Sequence, residues 1–143
     1  MKTIMPKQLN NIERKWYVFD AKDQVLGRLA NEIVKYLTGK NKVDFARHVD
    51  NGDYVVVLNA SKFITTGNKE EGKLYRTHSG YLGGIKEANL KELRVKKPFK
   101  ALELAISGMI PKNKLRKDVL LRLKLVEGES HDFQAQKPTE VKL

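Results

Sequence analysis

The sequence contains no cysteine. This absence excludes disulfides, thiolate catalysis, zinc ribbons and iron–sulfur ligation, and it fits a reducing compartment. No apolar run approaches the roughly 18 residues that a membrane span requires, and residues 1–6 lack the apolar core of a signal peptide. We therefore expect an intracellular, cytoplasmic protein that has no membrane partner.

The signatures of nucleotide-binding and catalytic sites are also missing. Residues 22–28, which follow the first predicted strand, contain one glycine where a dinucleotide-binding turn needs three. A P-loop would need glycine at Val34, five residues before Gly39, and Ser79 lacks the flanking glycines of a nucleophile elbow. The sequence thus predicts no enzyme, no catalytic residue, no cofactor and no small-molecule substrate.

A metal site is poorly supported. Asp44, His48, Asp50 and Asp53 could be drawn as ligands, but their spacing matches no known metal-binding pattern. We expect a solvated loop at these positions and no bound metal.

Positive charge is what the sequence has in excess. The chain has 28 Lys and Arg against 17 Asp and Glu, a net charge of +11. Residues 61–126 carry a net charge of +10, whereas residues 1–60 carry +3 and residues 127–143 carry −2. Such a density of cations repels itself unless an anionic partner lies nearby, and nucleic acid is the favoured partner. A basic surface that only confers solubility is the alternative.

Residues 69–84 combine basic, aromatic and glycine residues in one segment. Arg76 can bind a phosphate through two hydrogen bonds, and Tyr75 and Tyr81 can stack on bases. The three glycines that end the segment would let the backbone approach a bulky polyanion. The alternative is a surface hairpin whose glycines only form turns and whose tyrosines belong to its core.

Arg28 is a second candidate contact. It falls in the first turn of the first predicted helix, where a cation opposes the helix dipole. A phosphate bound by the backbone N–H groups and the guanidinium would favour arginine there, and an arginine tolerated in water is the alternative.

Residues 112–117 carry four positive charges in six residues. A polyanion contact explains this cluster better than a solvated face does. The polar connection 40–53 is longer than packing alone requires, which makes it a candidate functional loop. The candidate RNA-binding residues are Arg28, Lys40, Lys42, Arg47, His48, Lys69, Lys73, Tyr75, Arg76, His78, Ser79, Tyr81, Lys96, Lys97, Lys100, Lys112, Asn113, Lys114, Arg116 and Lys117.

The apolar pattern predicts an α/β fold. Residues 16–21 and 54–58 are apolar runs typical of strands buried on both faces of a parallel sheet. Residues 25–37 between them repeat apolar side chains with the helical period, and Gly39 is placed to end that helix. Strand, helix and strand make a βαβ unit.

The remaining predictions concern the cap of the first helix, the domain organisation and the elements that follow residue 61. Asp23 or Gln24 would cap the first helix, and a single domain over 1–143 would have an amino-terminal extension 1–13 and an irregular tail 127–143. We also predict a hairpin that pairs 62–66 with 73–77, helices over 89–95 and 98–109, a helix beginning at Pro111, and a strand over 122–126. Within 98–109 the residues expected to face inward are Phe99, Leu102, Ile106 and Met109.

Together these segments closely resemble the bacterial-type family of large-subunit ribosomal protein L-thirteen. The residues that carry the resemblance are 16–21, 25–30, 39–42, 48–57, 78–81, 83–84 and 108–113, in the order of the family. The resemblance implies a three-layer α/β/α fold around a four-stranded, mainly parallel sheet with basic loop and helical extensions. It also implies an early-assembling, non-catalytic constituent of the large ribosomal subunit that contacts ribosomal RNA and neighbouring ribosomal proteins.

The chain departs from the family pattern in two places. Residues 115–118 lack a glycine that the family usually has, and residues 131–133 read His-Asp-Phe where the family usually has His-Pro-His.

Two other functions remain open: an RNA-processing enzyme, and a free-standing regulator that binds messenger RNA.

Overall fold

The predicted βαβ unit is present in the computed structural model, which describes residues 13–141. Strand β1 spans Trp16–Asp20, helix α1 spans Leu26–Thr38, and strand β2 spans Tyr54–Leu58. The two strands are parallel neighbours, with Val18 opposite Val56. Val55, Val56 and Val57 are all fully buried. Because successive side chains of a strand point to opposite faces, both faces of β2 are covered, as the sequence predicts.

The central sheet has four strands in the order β5-β2-β1-β6, and every pairing is parallel. Strand β5 spans Leu123–Leu125, and strand β6 spans Thr139–Glu140. Helices flank this sheet, which confirms the three-layer α/β/α class. The tail was expected to be irregular, but it contributes β6 as well as a 3-10 turn at Gln134–Gln136. The predicted extension over residues 1–13 lies outside the described residues except for Glu13.

Helix α1 packs against the sheet because its apolar side chains recur with the helical period and therefore form one face. Leu29, Ile33 and Leu37 are fully buried and belong to one core with Phe19 of β1. Gly39 ends the helix in the left-handed conformation with φ 75°, as predicted. A Cβ at this position would lie only 2.6 Å from the Asn51 carbonyl oxygen, so the site excludes larger residues.

The start of α1 differs from the prediction. Neither Asp23 nor Gln24 caps it: Val25 occupies the N-cap position, and no side chain makes a cap hydrogen bond. Instead, Ile64 donates to the Gln24 carbonyl at 2.9 Å and accepts from the Leu26 N–H at 3.0 Å. A neighbouring backbone segment therefore fixes the beginning of the helix.

The prediction that 73–77 pairs with 62–66 was wrong, because this strand pairs with a later segment. Helix α2 spans Lys69–Gly72, and strand β3, Leu74–His78, pairs in antiparallel fashion with β4, Ile85–Asn89. The turn lies at the glycines that the sequence interpretation assigns to RNA contact. Gly80 and Gly83 have φ values of 89° and 71°, a conformation that favours glycine.

Three helices follow the hairpin: α3 spans Leu90–Lys96, α4 spans Lys100–Met109, and α5 spans Arg116–Leu121. Leu102 and Ile106 of α4 are fully buried, as predicted, whereas Met109 was wrongly placed in the core and is 45% exposed. The helix expected at Pro111 begins only at Arg116, because turns closed by Asn113 N–H to Pro111 O and Arg116 N–H to Asn113 O precede it. None of the helices within residues 13–141 is long and apolar enough to cross a membrane.

Candidate nucleic-acid interface

The long loop between α1 and β2 is fixed by a buried ion pair. Arg122, immediately before β5, donates from its two terminal nitrogens to the two Asp50 carboxylate oxygens, each at 2.5 Å. It also donates to the carbonyl of Leu37 at 3.1 Å. Arg14 approaches the same carboxylate at 3.4 Å and donates to the Gly52 carbonyl at 2.6 Å. These contacts join β5, the loop and the carboxyl end of α1.

Asp53 forms a second ion pair within the same loop. Its carboxylate is fully buried, with Lys42 Nζ 2.7 Å away and the Lys15 N–H donating to it at 2.9 Å. Burial raises the pKa of Tyr17, and the nearby charge of Asp53 raises it further. The predicted solvated loop is therefore wrong for Asp50 and Asp53, whose carboxylates are neutralised by side chains of this chain.

The loop nevertheless presents three of the predicted contact residues to solvent. Lys40, Arg47 and His48 are exposed, and no ion pair holds them among residues 13–141. Lys42, by contrast, is largely buried in its ion pair with Asp53.

The β3–β4 hairpin presents an aromatic and apolar tip. Tyr81 is 79% exposed and Leu82 is fully exposed. The turn is held by the backbone, since Ser79 N–H donates to Gly84 O at 3.1 Å and His78 Nδ1 accepts from the Gly80 N–H at 3.0 Å. Ordering of the turn leaves the Tyr81 ring free to stack on a base.

Arg76 lies on the same hairpin and pairs with Glu87 on the opposite strand at 2.6 Å. Both side chains are exposed, so this pair contributes at most about 1 kcal/mol and leaves the guanidinium within reach of a phosphate.

Tyr75 differs from Tyr81, although both were predicted to stack on RNA. Its ring packs against the core, and its buried hydroxyl has no hydrogen-bond partner in the described part of the chain. Burial raises the pKa of Tyr75, Arg94 opposes this shift, and Glu70 adds to it. Lys73 Nζ lies 5.5 Å from the centre of the ring. The structure places Tyr75 half-buried against the core and Tyr81 in solvent.

Arg28 is exposed in the first turn of α1, where no acidic side chain accompanies it. One backbone donor at this helix end, the Leu26 N–H, is already used by Ile64 O. A cleft of about 400 Å³ opens beside Gly27 and is also lined by Lys69 and Lys73. The fold thus brings two predicted lysines of residues 69–84 to the amino end of α1.

The cations of the carboxy-terminal half divide into exposed and engaged groups. Lys100 is 3.0 Å from Glu103, and Arg116 donates to the Ser107 carbonyl and hydroxyl at 2.6 and 2.7 Å. Arg116 therefore satisfies acceptors near the end of α4. The predicted contact residues of this half that are exposed are Lys96, Lys97, Lys112, Asn113, Lys114 and Lys117.

Two predicted segments that are distant in the sequence share one cleft. Lys40 and Arg47 of the α1–β2 loop and Asn113 of the α4–α5 connection all line a cleft of about 360 Å³, which we call the basic cleft. The sequence interpretation missed Phe45, which lines this cleft and is 36% exposed. An aromatic residue within a basic, glycine-flanked loop is the signal that could have identified it.

The sequence matches a known protein family over most of its length. The family model described as Ribosomal protein L13 matches residues 14–132, most of the chain. The chain belongs to this family. The L13 match includes the α1–β2 loop, the hairpin and the α4–α5 connection, and thus every candidate contact segment.

Full-length relatives support the same assignment. A protein of Dictyoglomus thermophilum, named large ribosomal subunit protein uL13, is 49% identical over 143 residues, which is the full length of both chains. Proteins of the same name from Pseudoalteromonas atlantica and Beutenbergia cavernae are 47% and 51% identical over 138 residues. These alignments cover 96% of this chain and 96% and 93% of the respective relatives.

Proposed function

We propose that this protein is a structural constituent of the large ribosomal subunit that binds large-subunit ribosomal RNA and supports translation without catalysis. The match to the L13 family over residues 14–132 is the observation that carries the proposal. The family consists of ribosomal proteins and not of enzymes, in agreement with the sequence interpretation. Its relatives are named as proteins of the large subunit.

The distribution of cations supports RNA as the partner. Lys40, Arg47, Lys112, Lys114 and Lys117 are exposed and have no acidic partner within 4 Å in the part of the chain that the structure describes. Folding of the isolated protein does not reward this arrangement, because the cations repel one another. Phosphates would neutralise them and release counterions on binding.

We also propose that the protein enters the large subunit early and contacts neighbouring ribosomal proteins there. It has its own buried core, formed by residues such as Phe19, Leu29 and Ile33, and so is able to fold before it meets RNA. In pulse-labelled cells it should appear in the earliest large-subunit precursor particles. Its entry only into particles of mature size would contradict early assembly.

The test of the main proposal is binding to large-subunit ribosomal RNA as a function of salt. The logarithm of the affinity should fall with the logarithm of salt concentration by about 0.7 to 0.9 for each phosphate that is neutralised. A slope near zero would refute RNA binding by charge.

Co-sedimentation separates the ribosomal role from regulation of messenger RNA. A constituent of the large subunit should remain near one copy per subunit in washed particles from cells. A protein found mainly with messenger RNA would support the regulatory alternative.

A further inference from the structure

The basic cleft has apolar walls, which the distribution of charge along the sequence does not predict. Phe45 and Val49 line it from the α1–β2 loop, and Ile110 and Leu115 line it from the α4–α5 connection. Its volume of about 360 Å³ lies near the lower end of the range of about 300 to 1,000 Å³ that is typical of small-ligand sites. A cleft of this size is suited to one planar group and is too small for a helix.

The polar groups of the basic cleft favour an anionic ligand. Lys40 and Arg47 line it and are exposed, and Lys112 and Lys114 flank Asn113 in the sequence. One carboxylate, that of Asp50, also lines the cleft, but Arg122 binds both of its oxygens. The charge facing the cleft is therefore positive.

We propose that the basic cleft binds one unpaired nucleotide of RNA, with its base beside Phe45 and its flanking phosphates at Lys40 and Arg47. This inference rests on the proposed function and specifies one contact within it. Aromatic side chains stack on bases that are splayed out of a helix, and the Asn113 amide carries both a donor and acceptors for a base edge. The lysines at 112 and 114 extend the phosphate contact along the strand.

An unpaired nucleotide fits the cleft better than an RNA duplex does. The major groove of an RNA duplex is too deep and narrow for side chains to read, so proteins recognise unstacked bases in loops and bulges. A protein segment with an apolar anchor is the competing occupant. The positive rim favours RNA over most such segments, and the experiment distinguishes the two.

The test uses the full-length protein, purified large-subunit ribosomal RNA and a set of four variants. Phe45→Ala should weaken RNA binding about 5- to 100-fold with an unchanged salt slope, because it removes stacking and no charge. Phe45→Tyr should restore binding and Phe45→Leu should not. Val43→Ala is the matched control, since Val43 lies in the same loop, is 94% exposed and does not line the cleft.

A second pair of variants does not depend on Phe45. Ala46 lines the cleft, so Ala46→Leu should obstruct it and weaken binding at an unchanged salt slope. Lys40→Gln alters only an exposed side chain and should weaken binding while making the salt slope less negative by about 0.7 to 0.9. Short-wavelength ultraviolet crosslinking of wild-type subunits should join a nucleotide to a peptide that contains Phe45.

The outcomes separate this inference from the proposed function. If the wild-type protein binds RNA with a steep salt slope and the cleft variants bind as the Val43 control does, the cleft proposal fails and the function stands. If the wild-type protein shows no salt-dependent RNA binding, the proposed function itself fails. If Phe45→Ala lowers occupancy in subunits without changing RNA affinity, a neighbouring protein occupies the cleft and the nucleotide proposal is overturned.

Discussion

At the scale of single residues, acidic side chains in a basic protein have a structural role. Asp50 neutralises Arg122 and contacts Arg14, and Asp53 neutralises Lys42. The Asp50 pairs join segments that are distant in the sequence, the Asp53 pair lies within the α1–β2 loop, and all of these carboxylates lie where water is largely excluded. Removing one partner of such a pair leaves an uncompensated buried charge.

Asp50→Asn should therefore lower the free energy of unfolding by about 3 to 5 kcal/mol, because Arg122 would stay buried without a counter-charge. Urea denaturation of the purified protein measures this change. Glu32→Gln is the control: it removes the exposed pair with Lys35 and should change stability by about 0.5 kcal/mol or less. A change of less than about 1 kcal/mol for Asp50→Asn would show that the network is dispensable.

The Tyr75 hydroxyl gives a dependence on pH. The pKa of Tyr75 is raised above the ordinary value of 10.0, chiefly by burial. Well below pH 10 the residue is neutral in both states; as the pH rises above about 10, the unfolded chain ionises first and the free energy of unfolding falls. Tyr75→Phe should reduce this fall, and at neutral pH it should preserve or raise stability because it removes a buried hydroxyl without a partner.

Urea denaturation at neutral pH and at about pH 11 tests this expectation. Tyr81→Phe is the matched control, since that ring lies in solvent. If Tyr75→Phe is markedly less stable at neutral pH, its hydroxyl has a partner that stabilises the fold.

At the scale of elements, an aromatic stack holds the carboxy-terminal tail on the sheet. Trp16 and Tyr54 begin neighbouring strands, and their rings stack at 4.3 Å with an angle of 6°. Phe133 also stacks on Trp16, with ring centroids 5.3 Å apart. Residue 133 is one of the departures from the usual family pattern, and here its ring precedes the short strand β6. The two residues of β6 are few for a stable pairing, so the stack supports it.

Phe133→Ala should loosen β6 while the rest of the sheet remains folded. The Val141 N–H donates to Val18 O at 2.9 Å and should exchange with deuterium faster in the variant. The Tyr54 N–H, which donates to Lys15 O, should keep its protection and serves as the internal reference. The free energy that stabilises β6 on the sheet should fall by about 0.5 to 1.5 kcal/mol, the contribution expected from one aromatic pair. Equal protection at Val141 in both proteins would show that β6 holds without the stack.

The elements differ in how far the sequence predicted them. Helix α1 and strands β1 and β2 follow from local periodicity, because one helical stripe and two apolar runs determine them. The partner of β3 does not, since 62–66 and 85–89 are both close to it in the sequence and no local pattern selects between them. In the 79–84 turn, Gly80 and Gly83 adopt left-handed conformations that allow the short connection between β3 and β4. The two-residue strand β6 has no apolar pattern that a prediction could use.

At the scale of the whole molecule, the fold divides the predicted cations into those that contact other groups of this chain and those that remain exposed. Lys42 and Arg116 were predicted to bind RNA, but they contact Asp53 and Ser107 of this chain. Lys112, Lys114 and Lys117 remain exposed beside Arg116. The fold therefore divides a cluster that looks uniform in the sequence into one engaged cation and three exposed ones.

Changing Lys112, Lys114 and Lys117 together to Gln should preserve or raise the stability of the free protein, because it relieves charge repulsion. It should weaken binding to ribosomal RNA and make the salt slope less negative by about 0.7 to 0.9 for each phosphate that the variant no longer neutralises. Salt-dependent binding and thermal unfolding measure the two effects. Arg116→Gln is the contrasting variant and should lower stability. Wild-type occupancy of subunits by the triple variant, in competition with the parent protein, would show that this cluster is a solvated face.

The sequence by itself determined the βαβ unit, the end of α1 at Gly39, the parallel sheet class and the excess of positive charge. These properties follow from local periodicity, backbone conformation and composition, which depend only on residues close together in the sequence. Only the tertiary structure decided that Asp50 pairs with Arg122, 72 residues away, and that the α1–β2 loop and the α4–α5 connection share one cleft. The partner of a charge depends on which distant segments packing brings within about 4 Å, and no local pattern records that distance.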